Sequence, residues 1–498
     1  MSKFSASIYN YLSNSLNAIV MLINGIVLVP FYFQYMSLST YGAWLASGNV
    51  VAMLGMLESG LSIVITQKLS VAHKNNDSTH ISLLAGANIF SAIIISLIIF
   101  FIGLIISFFV ADLINADILI KQDITIAFIV ALAASTLSIM TSLFGAFPQV
   151  WQDTKTVGII GIIANIIGII STIIYLLVGF GVIALALAYF TRALLNLIGQ
   201  CIWIFIKWRK CNYPKPKYDF TIVLNLLKDC FYPFLSKLST VVMNNSQSFI
   251  ISSFINPGMA AIYDITQKVI VVLSNFVNMT NVSFFALYSL TFASKNRIEI
   301  NNIIIKIANI FMILLFTAVL YSAVFTKSFV HFWVGLDKYG GDILLLMIVF
   351  SVLVSQIKQY TNILLQAGGM ISKSAKLDIM SMILFVILLL SFIKSAGIYT
   401  IPVATIFSGL IFIVLYLRLL RTKLTVEVNV IIRLIVKSFL ITSPFILSYY
   451  LLDIDLSNFR HLIIFFLLFS IVYLVVLFAT NKQYAIKLSQ RIKYGKSK

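Results

Sequence analysis

Six ionisable side chains lie where the surrounding sequence is apolar: Glu58, Arg192, Lys237, Asp264, Lys268 and Lys358. Charges inside a bilayer are costly and rare, and they face a partner or a water-filled cavity. Four of the six are cations, so the chemistry they suit is recognition of an anion. A pyrophosphate would gain charge-assisted hydrogen bonds from Arg and Lys. Arg192 follows Gly181 by eleven residues, roughly 16 Å deep at 1.5 Å per residue, too deep to reach water cheaply. Lys237 and Lys268 can instead snorkel to an interface. Asp264 and Lys268, at i and i+4, can pair with each other. Glu58, in Gly55-Met-Leu-Glu-Ser-Gly60, reads as the only acid well inside a span. Coupling to a proton or sodium ion and pairing with a buried cation are both open to it. Neutral polar residues add three stripes. Asn10, Asn14, Asn17 and Asn24 share one helical face, as do Asn245, Ser248 and Ser252, and Ser274, Asn278 and Asn281. Interhelical hydrogen bonding, worth ~1–2 kcal/mol or less per contact, and the lining of a water-filled cavity both fit them.

The elements that must position these residues are membrane helices. Apolar residues make up 60% of the 498-residue chain and charged ones only 10%, against roughly 25% charged in soluble domains. Fourteen stretches have the length of about 20 residues that a spanning helix needs: 14–34, 43–66, 81–110, 124–147, 157–178, 181–206, 231–254, 262–290, 303–325, 342–366, 377–395, 399–420, 434–451 and 461–480. Runs such as Ile159–Ile174 do not alternate as barrel strands would. With residue 1 inside, 26 of the 35 Lys and Arg fall in inside loops or helix ends and five in outside loops. That bias places both termini in the cytoplasm. Trp44, Trp151, Trp203, Trp208 and Trp333 lie near span ends, where indoles prefer the headgroup zone. The net charge of +19 then reflects loops facing anionic lipid, and no nucleic-acid partner is expected. Cys201, Cys211 and Cys230 cluster toward the same face and indicate neither disulfides nor a metal site.

Two stretches about 216–221 residues apart resemble each other in order. Met36–Ala43 matches Ile255–Tyr263, Gln149–Lys155 matches Gln366–Lys373, and Gly181–Ala188 matches Gly397–Ala404. A six-span repeat starts and ends on one side, so its copies are parallel, a plan that transporters use to place a site between rocking lobes. The expected domains are an N-terminal lobe over 1–206 and a basic cytoplasmic linker over 207–228. A C-terminal lobe over 229–421 follows, then two final helices with a basic tail over 422–498. The fold class is an all-α polytopic membrane protein with about 14 transmembrane helices, two pseudo-symmetric six-helix lobes plus two C-terminal helices.

The residues Leu28-Val-Pro-Phe31, Ser39-Thr-Tyr-Gly-Ala-Trp44 and Glu58-Ser-Gly-Leu-Ser62, with the repeat loops after spans four and ten, resemble polysaccharide flippases. These are the O-antigen (Wzx) type of the multidrug/oligosaccharidyl-lipid/polysaccharide (MOP, MATE-like) exporter superfamily. The likeness covers the first twelve spans. It implies two six-helix lobes in a V, with a lumen lined by helices one, two, seven and eight. It also implies flipping of undecaprenyl-pyrophosphate-linked oligosaccharide from the cytoplasmic to the periplasmic leaflet of the bacterial inner membrane. Under it Arg192, Lys237, Lys268 and Lys358 would contact pyrophosphate or acidic sugar, with Asn17, Asn24, Asn245, Ser248 and Asn278 lining the path. Glu58 and Asp264 would be the ion-coupling residues. Implied partners are the lipid-linked oligosaccharide, membrane lipids, a polysaccharide polymerase and a chain-length regulator. No cofactor is implied beyond a proton or sodium gradient.

Two other classes compete. A cation-coupled multidrug or small-molecule antiporter shares the fold, but span one carries no acid. An integral glycosyltransferase or polymerase would need acids and sizeable loops on the outer face. The first outer loop, Gln34–Tyr41, has no acid and the longest, Thr326–Gly341, has only Asp337. His73, His80, His331 and His461 lie in loops or at a span end. No metal spacing, nucleotide loop or nucleophile triad appears, so no catalytic residues are expected.

Overall fold

The computed structural model describes residues 25–55, 60–151, 153–293, 297–424, 426–452, 454 and 458–480. They are almost entirely helical. In chain order the helices are α1 (Gly25–Tyr35), α2 (Leu38–Leu54), α3 (Leu61–Lys74), α4 (Ser78–Ser107), α5 (Lys121–Phe144), α6 (Thr154–Leu177) and α7 (Ile183–Lys210). Then come α8 (Phe220–Asp229), α9 (Phe231–Asn245), α10 (Gln247–Phe254), α11 (Pro257–Ala293), α12 (Arg297–Trp333), α13 (Asp342–Ala367), α14 (Ile371–Ala396), α15 (Thr400–Lys423), α16 (Val428–Leu451) and α17 (Phe459–Thr480). Among the described residues, each of the fourteen apolar stretches falls on helix. Among the described residues ten continuous runs are long and apolar enough to cross a membrane, and one of them, Ile371–Lys423, contains both α14 and α15. The chain is a multi-pass membrane protein.

The second stretch, expected as one helix over 43–66, is instead two, α2 and α3. Gly60 opens α3 at φ 100°, a conformation side-chained residues rarely adopt. A Cβ there would also press to 3.0 Å of the Pro233 side chain at the start of α9. Asn17, Asn24 and Glu58 lie outside the described residues.

Two of the repeat loops have matching local geometry. Ser37 caps α2 by accepting from the Thr40 amide at 3.1 Å. Asn256 does the same for α11, accepting from the Met259 amide at 2.8 Å, with Pro257 at the first helical position, where its missing N–H costs nothing. Gly181 (φ 52°) and Gly397 (φ 58°) both take a positive φ ahead of α7 and α15.

The chain gathers into two compact units, residues 1–265 with 369–414, and residues 266–368 with 415–498. In the first, α5 packs against α2, α4 and α7, and α6 lies along α7. Small side chains permit this closeness, as is general for helices in lipid: Ala43, Ala46, Ala127 and Ala186 are wholly buried. Ile159, Ile163, Ile166, Ile170 and Ile174 of α6 are exposed along one face, as a lipid-facing helix requires. In the second unit α12 packs on α13 and α16. Tyr321 donates to Ser470 at 2.7 Å, and Thr317 bonds the Tyr473 hydroxyl at 2.9 Å. Leu320, Val324, Phe469 and Tyr473 form the apolar contact that seats α17.

Candidate functional site

Arg192 sits on α7, half-buried. Its guanidinium lies 5.0 Å from the Tyr189 ring centroid, one turn earlier on the same helix, within the range of a cation–π contact. Gly168 of α6 makes room for it. A Cβ there would come to 3.2 Å of the Arg192 Cβ, so glycine lets the arginine stem lie across α6. Tyr32 of α1 is its other electrostatic neighbour. Arg192 forms no ion pair among the described residues.

Lys237 is exposed on α9, and the residue before it makes the more telling contact. The Ser236 hydroxyl donates to Asp378 Oδ2 at 2.6 Å, joining α9 to α14. Asp378 is only 4% exposed, flanked on its helix face by fully buried Ser374 and Ser381. The expectation that Glu58 is the only acid well inside a span therefore needs correcting. Asp378 stands second in the apolar stretch 377–395, beside Lys373 and Lys376, and so reads as a helix end. The helix begins two turns earlier, at Ile371, and carries Asp378 into the packed interior. A serine three or four residues either side of it was the available signal.

On α9 and α10, Asn245 is half-buried and Ser248 buried. The C-terminal end of this stripe is tied to the turn before α5. Ser252 donates to the Ile114 carbonyl at 2.6 Å, and the Asn115 amide donates to the Ser253 carbonyl at 2.7 Å. Both helices also pack on α2. Asp264, half-buried on α11, is an electrostatic neighbour of buried Tyr41.

Lys268, Asn278 and Lys358 belong to the second unit, all half-buried. One turn from Asn278 is Asn281, fully buried. Among the described residues neither its amide nitrogen nor its oxygen has a hydrogen-bond partner, nor does the Asn278 oxygen. Tyr288 of α11 and Tyr360 of α13, both fully buried, present their hydroxyls to one another short of hydrogen-bond geometry. Tyr360 stacks on Phe311 at 4.8 Å, and Gln356 adds a buried amide oxygen with no partner. Leaving such a group unmatched costs about 1–3 kcal/mol, so the Asn278–Asn281 turn and Gln356 carry hydrogen-bonding capacity that their helix neighbours leave unmet. Asn281 was legible as part of a stripe. The tyrosines were not, because an aromatic in an apolar helix reads as core.

The site residues thus fall in separate polar nests. Arg192 lies with Tyr189 and Tyr32, Ser236 with Asp378, and Tyr288 with Tyr360.

Comparison with known structures gives one fold throughout. The lipid II flippase MurJ, in an inward closed conformation, matches with a TM-score of 0.69 at 15% identity, over 96% of this chain and all of that one. An inward-facing multidrug resistance MATE family transporter of the MOP superfamily matches at 0.64 and 15%, over 82% of this chain and 94% of that one. A mutant of the Vibrio cholerae MATE transporter VcmN matches at 0.60 and 15%, over 86% and 100%. The comparison with curated proteins gives no match. The family model for polysaccharide biosynthesis proteins matches residues 6–288. By that match, over more than half its length, the chain belongs to the polysaccharide biosynthesis protein family.

Proposed function

We propose that the protein is a flippase. It carries an undecaprenyl-pyrophosphate-linked oligosaccharide, the repeat unit of an O-antigen or similar polysaccharide, from the cytoplasmic to the periplasmic leaflet by alternating access. It works in the bacterial inner membrane with both termini cytoplasmic. The lobes are 1–206 and 229–421, joined by the basic linker 207–228, and a polymerase and chain-length regulator act after it. The observation that carries the reading is Arg192. Its side chain is half-buried deep in an apolar helix, cradled by Gly168 and two tyrosines and without an ion pair among the described residues. A buried cation held this way has its charge available to a pyrophosphate, and bidentate guanidinium contacts suit phosphoryl oxygens. The family match and the likeness to a lipid II flippase over 96% of the chain support the same substrate class. Arg192→Ala and Arg192→Glu, at normal membrane levels, are expected to abolish surface polysaccharide and leave lipid-linked units on the cytoplasmic leaflet. Unchanged surface polysaccharide would remove Arg192 from the mechanism.

A cation-coupled antiporter of the same fold is the second reading, and buried Asp378 is the observation on its side. Loss of drug tolerance in a deletion strain with intact surface polysaccharide would favour it.

A further inference from the structure

A non-helical strap, Asn212–Asp219, leaves the end of α7 and crosses α4. Asn212 makes the turn at φ 50°. The Lys217 amide donates to the Ser82 carbonyl at 3.1 Å, and the Ser82 hydroxyl donates back to the Lys215 carbonyl. Gly86 lies beneath the crossing, where a Cβ would land on the Lys217 carbonyl. Trp208 donates to the Pro214 carbonyl at 3.1 Å, and the Tyr213 hydroxyl meets His73 Nδ1 at 3.1 Å. The strap is therefore fixed at both ends and in the middle.

Between the strap, α4 and the last turns of α7 lies a cavity of about 720 Å³, within the range of about 300–1,000 Å³ usual for ligand sites. Its walls are apolar, with Ile89, Phe144, Phe147 and Phe205, while Arg209 and Lys215 supply its cations. No acidic residue lines it. Arg209 stands 4.3 Å over the Phe205 ring, so its charge is held beside the apolar wall. Arg209 is seventeen residues beyond Arg192, roughly 25 Å along the helix at 1.5 Å per residue, so this is a second place in the unit. Trp151, Trp203 and Trp208 pack together next to it, with centroids 5.6 to 6.3 Å apart, and indoles gather at headgroup depth.

We propose that this cavity holds one acidic phospholipid of the leaflet on the basic side. Its phosphate would be gripped by Arg209 and Lys215 and an acyl chain laid along the phenylalanine wall. Free phosphate has no use for the apolar wall, and a neutral lipid has none for the paired cations. The site stands apart from the flippase reading and survives its failure.

Native mass spectrometry of the delipidated protein in detergent tests it, with phosphatidylglycerol or phosphatidylcholine added. One phosphatidylglycerol is expected to be retained in preference to phosphatidylcholine. The pair Arg209→Gln and Lys215→Gln is expected to weaken that retention about thirtyfold, at about 1 kcal/mol per basic residue near a lipid surface. Cys201→Trp, which fills the apolar part and leaves both cations, is expected to abolish it, whereas Lys327→Gln leaves it unchanged. Equal retention of the two lipids would overturn the proposal, as would wild-type binding by the double variant. Retention of a polyprenyl pyrophosphate without phosphatidylglycerol would overturn it in favour of a cargo site.

Discussion

At the residue scale, the most consequential side chain that the sequence concealed is Asp378. Its carboxylate accepts from Ser236 inside the α9–α14 contact, so it has both a structural and a chemical role to separate. Asp378→Leu removes the carboxylate that accepts from Ser236 across the helix contact and is expected to cost about 1–3 kcal/mol, read as a lower melting temperature in detergent. Asp378→Asn keeps an acceptor and is expected to melt close to wild type. Should the Asn variant hold its stability yet lose export, the charge itself serves transport. Equal export by Asn and wild type would make Asp378 a packing residue. Arg192, by contrast, was legible at once, because a guanidinium that deep in an apolar run must be matched by a partner, a cavity or a ligand. What the sequence could not supply was Gly168, the residue on another helix that makes space for it.

At the element scale, glycines set how closely helices approach. Gly42 of α2 faces the start of α11, where a Cβ would fall on the Pro257 carbonyl oxygen. Backbone there has no rotamer to yield, so the helix ends must separate. Gly42→Val is expected to destabilise the first unit by about 1–3 kcal/mol, the usual cost of overpacking, seen as a lowered melting temperature and reduced membrane level. Wild-type stability would show that α2 and α11 slide freely at this crossing. The same reasoning explains the split of the second stretch. Hydropathy runs unbroken through 43–66, but α2 ends at Leu54 and Gly60 at φ 100° starts α3. The apolar stretch 303–325 lies in α12, which packs on α13 and α16 in the second unit, whereas α6 turns an equally apolar face outward, because apolar sequence looks alike against lipid and against protein.

At the scale of the whole molecule, orientation and energy source remain as predictions. The Lys and Arg bias puts the end of α7 in the cytoplasm and the loop before α13 outside. With Cys201 and Cys211 replaced by Ser, Asp337→Cys is expected to react with an impermeant maleimide on intact cells, and Lys210→Cys only after the membrane is opened. The reverse pattern would invert the topology. Native Cys230 serves as the internal control. It is buried, and desolvation together with neighbouring Asp229 pushes its thiol up to about 11. A raised value keeps the thiol neutral below that pH, so at pH 7.5 it stays unlabelled. Glu58→Gln is expected to weaken the dependence of export on the proton or sodium gradient, measured by collapsing each gradient separately. Unaltered dependence would end its coupling role.

Composition and hydropathy alone determined that this chain is a multi-pass membrane protein built of apolar helices. Each helix must satisfy its own backbone in lipid and therefore shows itself locally. The repeat loops were also legible, since a capping Ser37 or Asn256 and a positive-φ Gly181 or Gly397 act within a few residues. Only the tertiary structure decided which polar groups meet. Asp378 with Ser236, Tyr288 with Tyr360, and the strap across Gly86 join residues far apart in the chain, and such pairings are fixed by packing between helices that leaves no periodic trace in either one.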